Sequence, residues 1–235
     1  MIHSVWIAFF ITLMIALVWL RLVDFIAHRG WITSALSRKI IHAGTGLIFV
    51  LCWLLFPDHP SSRFLASVIP LGISIQFALV GLGVIKDQAS VDAMSRNGNR
   101  REILRGPLFY GIVFVALTLI FWKTNPIGLV ALMMLCGGDG LADIIGSRVK
   151  SLTLPWSKKK SLVGSLAMFF GGWIFSFIVL AIFVTTGTFV GPLKVFILPI
   201  TIISLIAALV ESISIKDSDN LTVPAISILL GYFLF

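Results

Sequence analysis

Two aspartates and a run of lysines are the residues of this chain whose types and spacing could do chemistry. Asp139 and Asp143 stand four residues apart inside an apolar run of membrane-spanning length, and Lys158, Lys159 and Lys160 follow after a short loop. Side chains four residues apart on a helix share one face. Because acids are costly to place in hydrocarbon, such a pair indicates a functional site. Paired acids beside lysines suggest a metal ion and a phosphate.

Composition places this site in a membrane protein. The chain has 235 residues, of which 58% are hydrophobic and 12% charged, which predicts a single all-α domain over 1–235 with about seven or eight spans. The net charge of +8 would suggest nucleic acid in a soluble domain, but here basic loops beside the membrane explain it, and no nucleic-acid partner is expected. Cys52 and Cys136 lie in apolar runs, and no disulfide framework is predicted.

Apolar runs define the elements that must position the acids. The predicted spans are 4–26, 38–56, 64–85, 107–123, 126–147, 162–186, 190–213 and 221–235, the last being the shortest. The first run has no preceding basic region and no small-residue cleavage site, so it is interpreted as a retained span, and no organelle transit sequence is expected.

The distribution of basic residues predicts the orientation. With eight spans, 15 of the 18 lysines and arginines fall on one side, which is therefore the cytoplasmic side, and both termini face outward. Nine of the ten acids fall on that side too. A solute carrier more often places its polar groups near mid-membrane. One-sided polar groups fit an enzyme that joins a soluble substrate to a lipidic one.

Mg²⁺ is the predicted partner of the acids. Asp139 lies about 12 Å from the cytoplasmic end of its span, at 1.5 Å per residue. The alternative is that arginines of adjacent spans neutralise the two acids, but Mg²⁺ suits a few carboxylates completed by water and substrate phosphate. Glu211 and Asp219 lie on the same side and are further candidate ligands.

The lysines and the span that follows them could bind phosphate. Ser161 is a candidate helix cap, the helix start would present free N–H groups to an anion, and Gly164 keeps the backbone accessible. Alternatively, Lys158, Lys159 and Lys160 only anchor the loop to the membrane. The sequence contains no Walker A pattern.

Two further basic groups lie on the same side. Arg38 and Lys39 could hold a triphosphate, and His42 shares their helix face, where it could bind substrate, move a proton or simply pack in the bundle. The 86–106 segment contains Arg101 and Arg105 among apolar residues. It is predicted either to lie on anionic lipid or to cover a nucleotide.

Five stretches of the chain resemble the polyprenol kinase family, and within it the phytol kinases of cyanobacteria and plastids. The matching stretches are RKIIHAGTG (38–46), SRNGNRREILRGPLFY (95–110), GDGLADIIGS (138–147), LPWSKKKSLVGS (154–165) and ESISIKDSDNLTVP (211–224). The aspartate and lysine blocks are shared with dolichol kinases and, more loosely, with CDP-diacylglycerol synthases.

The resemblance implies phosphorylation of phytol or a similar isoprenoid alcohol by a nucleoside triphosphate, typically CTP, for prenyl lipids such as tocopherol, and a cyanobacterial membrane as the location. Dolichol-type relatives have Glu before the Gly-Ser of the lysine block, where this chain has Val163. The role of that glutamate therefore does not transfer.

The predicted mechanism assigns Mg²⁺ to Asp139 and Asp143, with Glu211 and Asp219 as candidate ligands. Lysines, including Lys160, would stabilise the transferring phosphoryl group. Either an acid or His42 would accept the hydroxyl proton. Two rival hypotheses are a cytidylyltransferase, which would transfer CMP to a lipid phosphate, and a transporter.

Overall fold

A computed structural model of the chain describes residues 3–95, 97–214 and 218–235, apart from the side chains of Ser34, Lys158 and Lys159. The predicted roles of the Lys158 and Lys159 side chains therefore lie outside the described residues. The same holds for Arg96 and Lys216, which contributed to the predicted orientation.

Apolar helices form the whole bundle, because only internally hydrogen-bonded backbone can cross a membrane. The helices are α1 (Val5–His28), α2 (Ser34–Cys52), α3 (Ser62–Leu82), α4 (Gln88–Met94), α5 (Gly106–Ile120), α6 (Pro126–Met133), α7 (Gly140–Gly146), α8 (Leu162–Thr185), α9 (Lys194–Ile213) and α10 (Asp219–Leu234). Short 3₁₀ turns cover Trp53–Leu55 and Arg100–Leu104, and two short strands, β1 (Thr153–Leu154) and β2 (Ser157–Ser161), form an antiparallel hairpin.

The predicted helical membrane fold is confirmed. Among the described residues, seven helical segments are long and apolar enough to cross a membrane, while α10 is shorter. Seven of the eight predicted spans each correspond to one helix and the fifth to a run of three helical segments, and the observed ends differ from the predicted ones by a few residues. For example, the span predicted to begin at 190 begins at Lys194, because the turn signals at Gly191 and Pro192 precede the helix.

The fifth span is central and irregular. It consists of α6, a π-helical stretch over Met134–Asp139, and α7. Every residue from Ile127 to Gly138 is buried. A π-helical stretch carries an extra residue relative to an α-helix and changes the direction of the side chains that follow it. Asp139 is the last residue of this stretch, so the irregularity determines where its carboxylate points.

Glycines let the neighbouring helices approach this span closely. A Cβ added at Gly171 of α8 would lie 2.6 Å from the carbonyl oxygen of Gly137, and one added at Gly140 would lie 2.8 Å from the Cβ of Ala43 on α2. Small residues at such positions replace side-chain packing by close backbone contact, as is usual between membrane helices. The fifth span is therefore held between α2 and α8.

The segment between α3 and α5 packs onto the bundle. Val91 of α4 and Ile103 of the 3₁₀ turn form a small apolar cluster with Val80 of α3. Ser90 and Met94 face a cavity described below. The segment is thus attached to α3 through buried side chains, and its predicted contact with nucleotide or lipid stays a prediction.

We expect Gly171→Ala to lower the free energy of unfolding by about 1–3 kcal/mol, because its methyl group would overlap the Gly137 carbonyl oxygen and force α8 away from the fifth span. Thermal unfolding of the detergent-purified protein measures this effect. Gly72→Ala is the matched control, since a Cβ at Gly72 meets no atom within 4 Å. Equal melting temperatures for the two variants would contradict the close packing.

Candidate active site

A cavity of about 330 Å³ opens between α1, α2, α3, α5 and the fifth span. This main cavity is at the lower end of the usual size of small-molecule sites. Charged residues gather at one end, which we call the polar end, and apolar residues predominate in the rest. The polar end includes Arg38, Lys39, His42, Glu102, Asp139, Asp143, Asp219 and Asn220, and the other polar lining residues are Thr45, Gln76, Ser90 and Tyr110. An amphipathic ligand fits such a cavity.

Three carboxylates meet at the polar end of the main cavity. Oxygen atoms of Asp139, Glu211 and Asp219 lie within 4.8 Å of one another. Glu211, near the end of α9, has only 3% of its side chain exposed, and Asp219 begins α10. Three elements far apart in sequence thus supply one acidic group, which we call the carboxylate cluster.

Lys160 of β2 partly neutralises the carboxylate cluster. Its ammonium group binds the carboxylate of Glu211 and lies 3.7 Å from an oxygen of Asp219. Burial alone would lower the pKa of Lys160, but the charges of Glu211, Asp219 and Asp139 raise it above the usual lysine value. Lys160 therefore stays protonated, and the cluster gathers three acidic side chains around its ammonium group.

The hairpin brings Lys160 to the cluster. Trp156, in the turn between β1 and β2, donates its indole N–H to the hydroxyl of Ser212 at 3.1 Å. Ser212 is adjacent to Glu211 on α9. The hairpin is thus fixed to the end of α9 by a hydrogen bond and an ion pair, and both position Lys160.

Asp143 lies outside the carboxylate cluster. Its carboxylate is 3.9 Å from the ammonium nitrogen of Lys39, and 54% of its side chain is exposed. Lys39 also donates to the hydroxyl of Ser147 at 3.0 Å. Asp139 and Asp143 do line the same cavity, but Asp139 faces Glu211 and Asp219 whereas Asp143 faces Lys39. The Asp139–Asp143 metal pair thus stays a prediction that the observed grouping does not reproduce.

His42 of α2 lies beside Asp139. Its Nε2 atom is 3.4 Å from a carboxylate oxygen of Asp139, and its ring packs 4.3 Å from that of Tyr110 on α5. The Tyr110 hydroxyl donates to the backbone carbonyl of His42 at 2.7 Å. A histidine positioned in this way can exchange a proton with a group that binds beside it and Asp139.

A second, polar cavity of about 150 Å³ lies on the other side of α7. Asp143 lines both cavities, and Lys160 and Glu211 line this one. Its remaining lining residues are Ala142, Gly146, Ser147, Ser161, Gly164 and Ser165. The two cavities thus meet at the carboxylate cluster, with a mainly apolar ligand space on one side and a polar space on the other.

The start of α8 differs from the prediction. Ser161 does cap the helix, since its hydroxyl accepts from the Gly164 N–H at 3.2 Å. However, the N–H of Leu162 donates to the carbonyl of Leu152, and that of Val163 donates to the hydroxyl of Ser151. The prediction that this helix start presents free N–H groups to an anion is therefore wrong, because the preceding loop already uses those donors.

Of the other predicted phosphate-binding arginines, one lines the main cavity and two do not. Arg38 lines the main cavity and donates to the backbone carbonyl of Ser95 at 2.6 Å, which ties α2 to the segment after α4. Arg101 and Arg105 are exposed and line neither cavity. Their predicted contact with nucleotide stays untested.

Sequence reasoning missed two residues of the site. Tyr110 is one of only two tyrosines and follows a Gly-Pro helix start, which could have singled it out. Asn220 is 93% buried, lines the main cavity, and its side-chain oxygen has no hydrogen-bond partner within the described ranges. That oxygen is available to a ligand.

Named plant proteins resemble the chain along nearly its whole length. It is 41% identical over 220 residues to a probable phytol kinase 3 of Glycine max, which covers 92% of this chain and 68% of the relative. It is 37% identical over 230 residues to a farnesol kinase of Arabidopsis thaliana, covering 97% and 75%. Phytol kinase 1 of Arabidopsis thaliana is 34% identical over 212 residues, covering 89% and 70%.

All three relatives are named as chloroplastic proteins, which gives no support to the predicted cyanobacterial membrane. No family model matches the chain, and no solved structure matches it. The resemblance seen in the five sequence stretches is confirmed by the extent and identity of these matches. The chain belongs to the phytol kinase-like polyprenol kinase family.

Proposed function

We propose that this chain transfers the γ-phosphoryl group of a nucleoside triphosphate to phytol or a similar isoprenoid alcohol at the cytoplasmic face of its membrane. Relatives named phytol kinase and farnesol kinase support the reaction class. CTP as donor, and a product used for prenyl lipids such as tocopherol, follow from the family resemblance.

The observation that carries this proposal is the position of the carboxylate cluster between two unlike cavities. The main cavity could take a hydroxyl attached to an apolar chain. The polar cavity, lined by Lys160 and three serines, suits phosphate oxygens. A kinase that joins a lipid alcohol to a soluble nucleotide needs these two environments to meet at the reacting atoms.

Mg²⁺ fits the carboxylate cluster. Three carboxylates at close range suit a hard divalent cation. The side-chain oxygen of Asn220, which has no hydrogen-bond partner in the described part of the chain, belongs to the same cavity lining as Asp139 and Asp219. Asp139, Glu211 and Asp219 would hold the ion. When bound, it would neutralise charge on the phosphates of the donor.

The residues of this chain would then do the remaining work. The alcohol oxygen forms a bond to the γ-phosphorus while the bond between the γ-phosphorus and the β–γ bridging oxygen breaks. The proton of the hydroxyl passes to His42 or to Asp139, which lie side by side. Lys160, with Arg38 and Lys39, would stabilise the negative charge of the phosphates.

Label transfer tests the reaction. We expect purified protein with phytol and CTP to transfer phosphorus from the γ position to the alcohol, since a kinase retains the α-phosphate in the nucleotide product. Thin-layer chromatography of the lipid products after labelling CTP at either position measures this. A parallel incubation replaces phytol with a lipid phosphate. Label from the α position in its lipid product would instead indicate a cytidylyltransferase, and no transfer to phytol or to the lipid phosphate would contradict both reactions.

The proposed cation site predicts which carboxylates are needed for stabilisation by Mg²⁺. Mg²⁺ at 100 times its dissociation constant should stabilise the wild type by about 2.7 kcal/mol. We expect Asp139→Asn, Glu211→Gln and Asp219→Asn each to reduce this stabilisation, and Asp139→Asn to lower turnover at least about 100-fold. Thermal melts with and without Mg²⁺ measure the first effect in the absence of any substrate.

Two further variants make this test discriminating. Asp24→Asn is the control, because Asp24 is an exposed acid paired with His28. Asp143→Asn decides between the carboxylate cluster and the Asp139–Asp143 pair predicted from spacing. Retained stabilisation in Asp143→Asn supports the cluster, whereas its loss there, with retention in Glu211→Gln and Asp219→Asn, would support the pair.

Cysteine labelling tests the proposed face. Leu152, in the loop before the hairpin, is 78% exposed, and Val190, between α8 and α9, is 95% exposed, whereas both native cysteines are buried. A membrane-impermeant maleimide should modify Val190→Cys in intact bacterial cells and Leu152→Cys only after permeabilisation. The reverse pattern would place the carboxylate cluster on the outer side.

A further inference from the structure

We infer that the apolar part of the main cavity binds the isoprenoid chain of the acceptor next to its hydroxyl, and that Phe49 and Phe114 form the floor that limits chain length. This inference rests on the proposed function, because the polar end of the same cavity is the reacting end. It adds a substrate-binding surface and residues that select the substrate.

The helices α2 and α5 present their lining residues in the same order, with polar residues near the polar end of the cavity and aromatic residues further away. On α2, Phe49 is seven residues beyond His42, or about 10 Å further from the polar end at 1.5 Å per residue. On α5, which runs in the same direction, Phe114 is four residues beyond Tyr110, about 6 Å further. The lining residues therefore change from charged to aromatic with distance from Asp139.

Ring contacts confirm that these residues form one continuous surface. The His42 and Tyr110 rings are 4.3 Å apart, Tyr110 and Phe114 are 4.6 Å apart, and Phe114 and Phe49 are 6.0 Å apart. Gly46 makes room for them, since a Cβ there would lie 2.7 Å from the Phe114 ring. A continuous series of aromatic rings thus leads from His42, which lies beside Asp139, to the apolar end of the cavity.

Buried side chains line the far end of the cavity. Phe49 and Phe114 are 6% and 3% exposed, and Trp53, which packs 6.3 Å behind Phe49, is fully buried and does not line the cavity. On α3, which runs in the opposite direction, Ile69 lines the same region and Ile73 lies one turn nearer the polar end. A chain that enters with its hydroxyl at Asp139 would therefore meet these buried side chains.

Variants with opposite effects test this inference. The measurement is the ratio of kcat/KM for a C20 isoprenoid alcohol to that for a C10 isoprenoid alcohol. Phe49→Leu and Phe114→Ala deepen the cavity and should raise this ratio, whereas Ile73→Phe fills the cavity and should lower it about tenfold. Phe183→Ala is the control, because Phe183 of α8 is fully buried but lines neither cavity, and the ratio should stay at the wild-type value.

A second measurement does not depend on turnover. An isoprenoid alcohol with a photoreactive diazirine on its terminal isoprene unit should cross-link to peptides containing 42–53 or 106–117, as mapped by mass spectrometry. Excess unlabelled phytol should suppress this reaction.

The outcomes separate this inference from the proposed function. Phosphorylation of alcohols with unchanged ratios in all three variants, or with cross-links only to other helices, would overturn the chain-binding site and leave the kinase activity intact. Cross-links to the expected peptides without phosphorylation of any alcohol would support the binding site and overturn the kinase activity.

Discussion

The electrostatic attraction between one lysine and three carboxylates is the interaction on which the rest of this site depends. Glu211 is almost fully buried, and an isolated buried carboxylate would be strongly unfavourable. Lys160 offsets part of that cost by pairing with Glu211 and Asp219. Three carboxylates this close repel one another when ionised, which is the physical reason to propose a cation there, and the arrangement can persist only where the fold holds the acids together.

The three acids are held together by an irregular stretch of helix and by helix ends. A π-helical stretch ends at Asp139 in the most buried span, the last turn of α9 supplies Glu211, and the first turn of α10 supplies Asp219. The hairpin inserts Lys160 from outside the bundle. Close glycine contacts of α2 and α8 with the fifth span restrict the movement of these parts. The site is thus preorganised by backbone packing, which favours electrostatic catalysis.

The position of this charge also relates the two kinds of ligand. In the main cavity, the acidic end adjoins walls of apolar side chains. Serines and a lysine line the polar cavity on the other side of α7. A lipid alcohol and a nucleotide could therefore approach the same carboxylates from different sides without either entering the other's environment. That separation suits a reaction between a membrane-soluble and a water-soluble substrate.

The spans were predictable from the sequence, because a membrane tolerates only long apolar helices, and hydropathy records that requirement directly. The placement of Asp139, Glu211 and Asp219 at one membrane face was also predictable, from the order of the spans and the distribution of basic residues between them. Their grouping without Asp143 was not, since the partners of each acid come from elements far apart in sequence: Glu211 and Asp219 lie beside Asp139, whereas Lys39 lies beside Asp143. The hydrogen bonds made by the N–H groups at the start of α8 could not be predicted either, because their acceptors, Ser151 and Leu152, belong to an irregular loop.

Electron paramagnetic resonance of Mn²⁺, used in place of Mg²⁺, tests the central claim most directly. We expect one protein-bound Mn²⁺ per chain whose signal couples to the ³¹P nuclei of an added nucleoside triphosphate. We also expect Glu211→Gln, a change at the most buried member of the carboxylate cluster, to weaken Mn²⁺ binding. Unchanged Mn²⁺ affinity in Glu211→Gln, or a bound ion with no phosphorus coupling, would contradict a cation site at the carboxylate cluster.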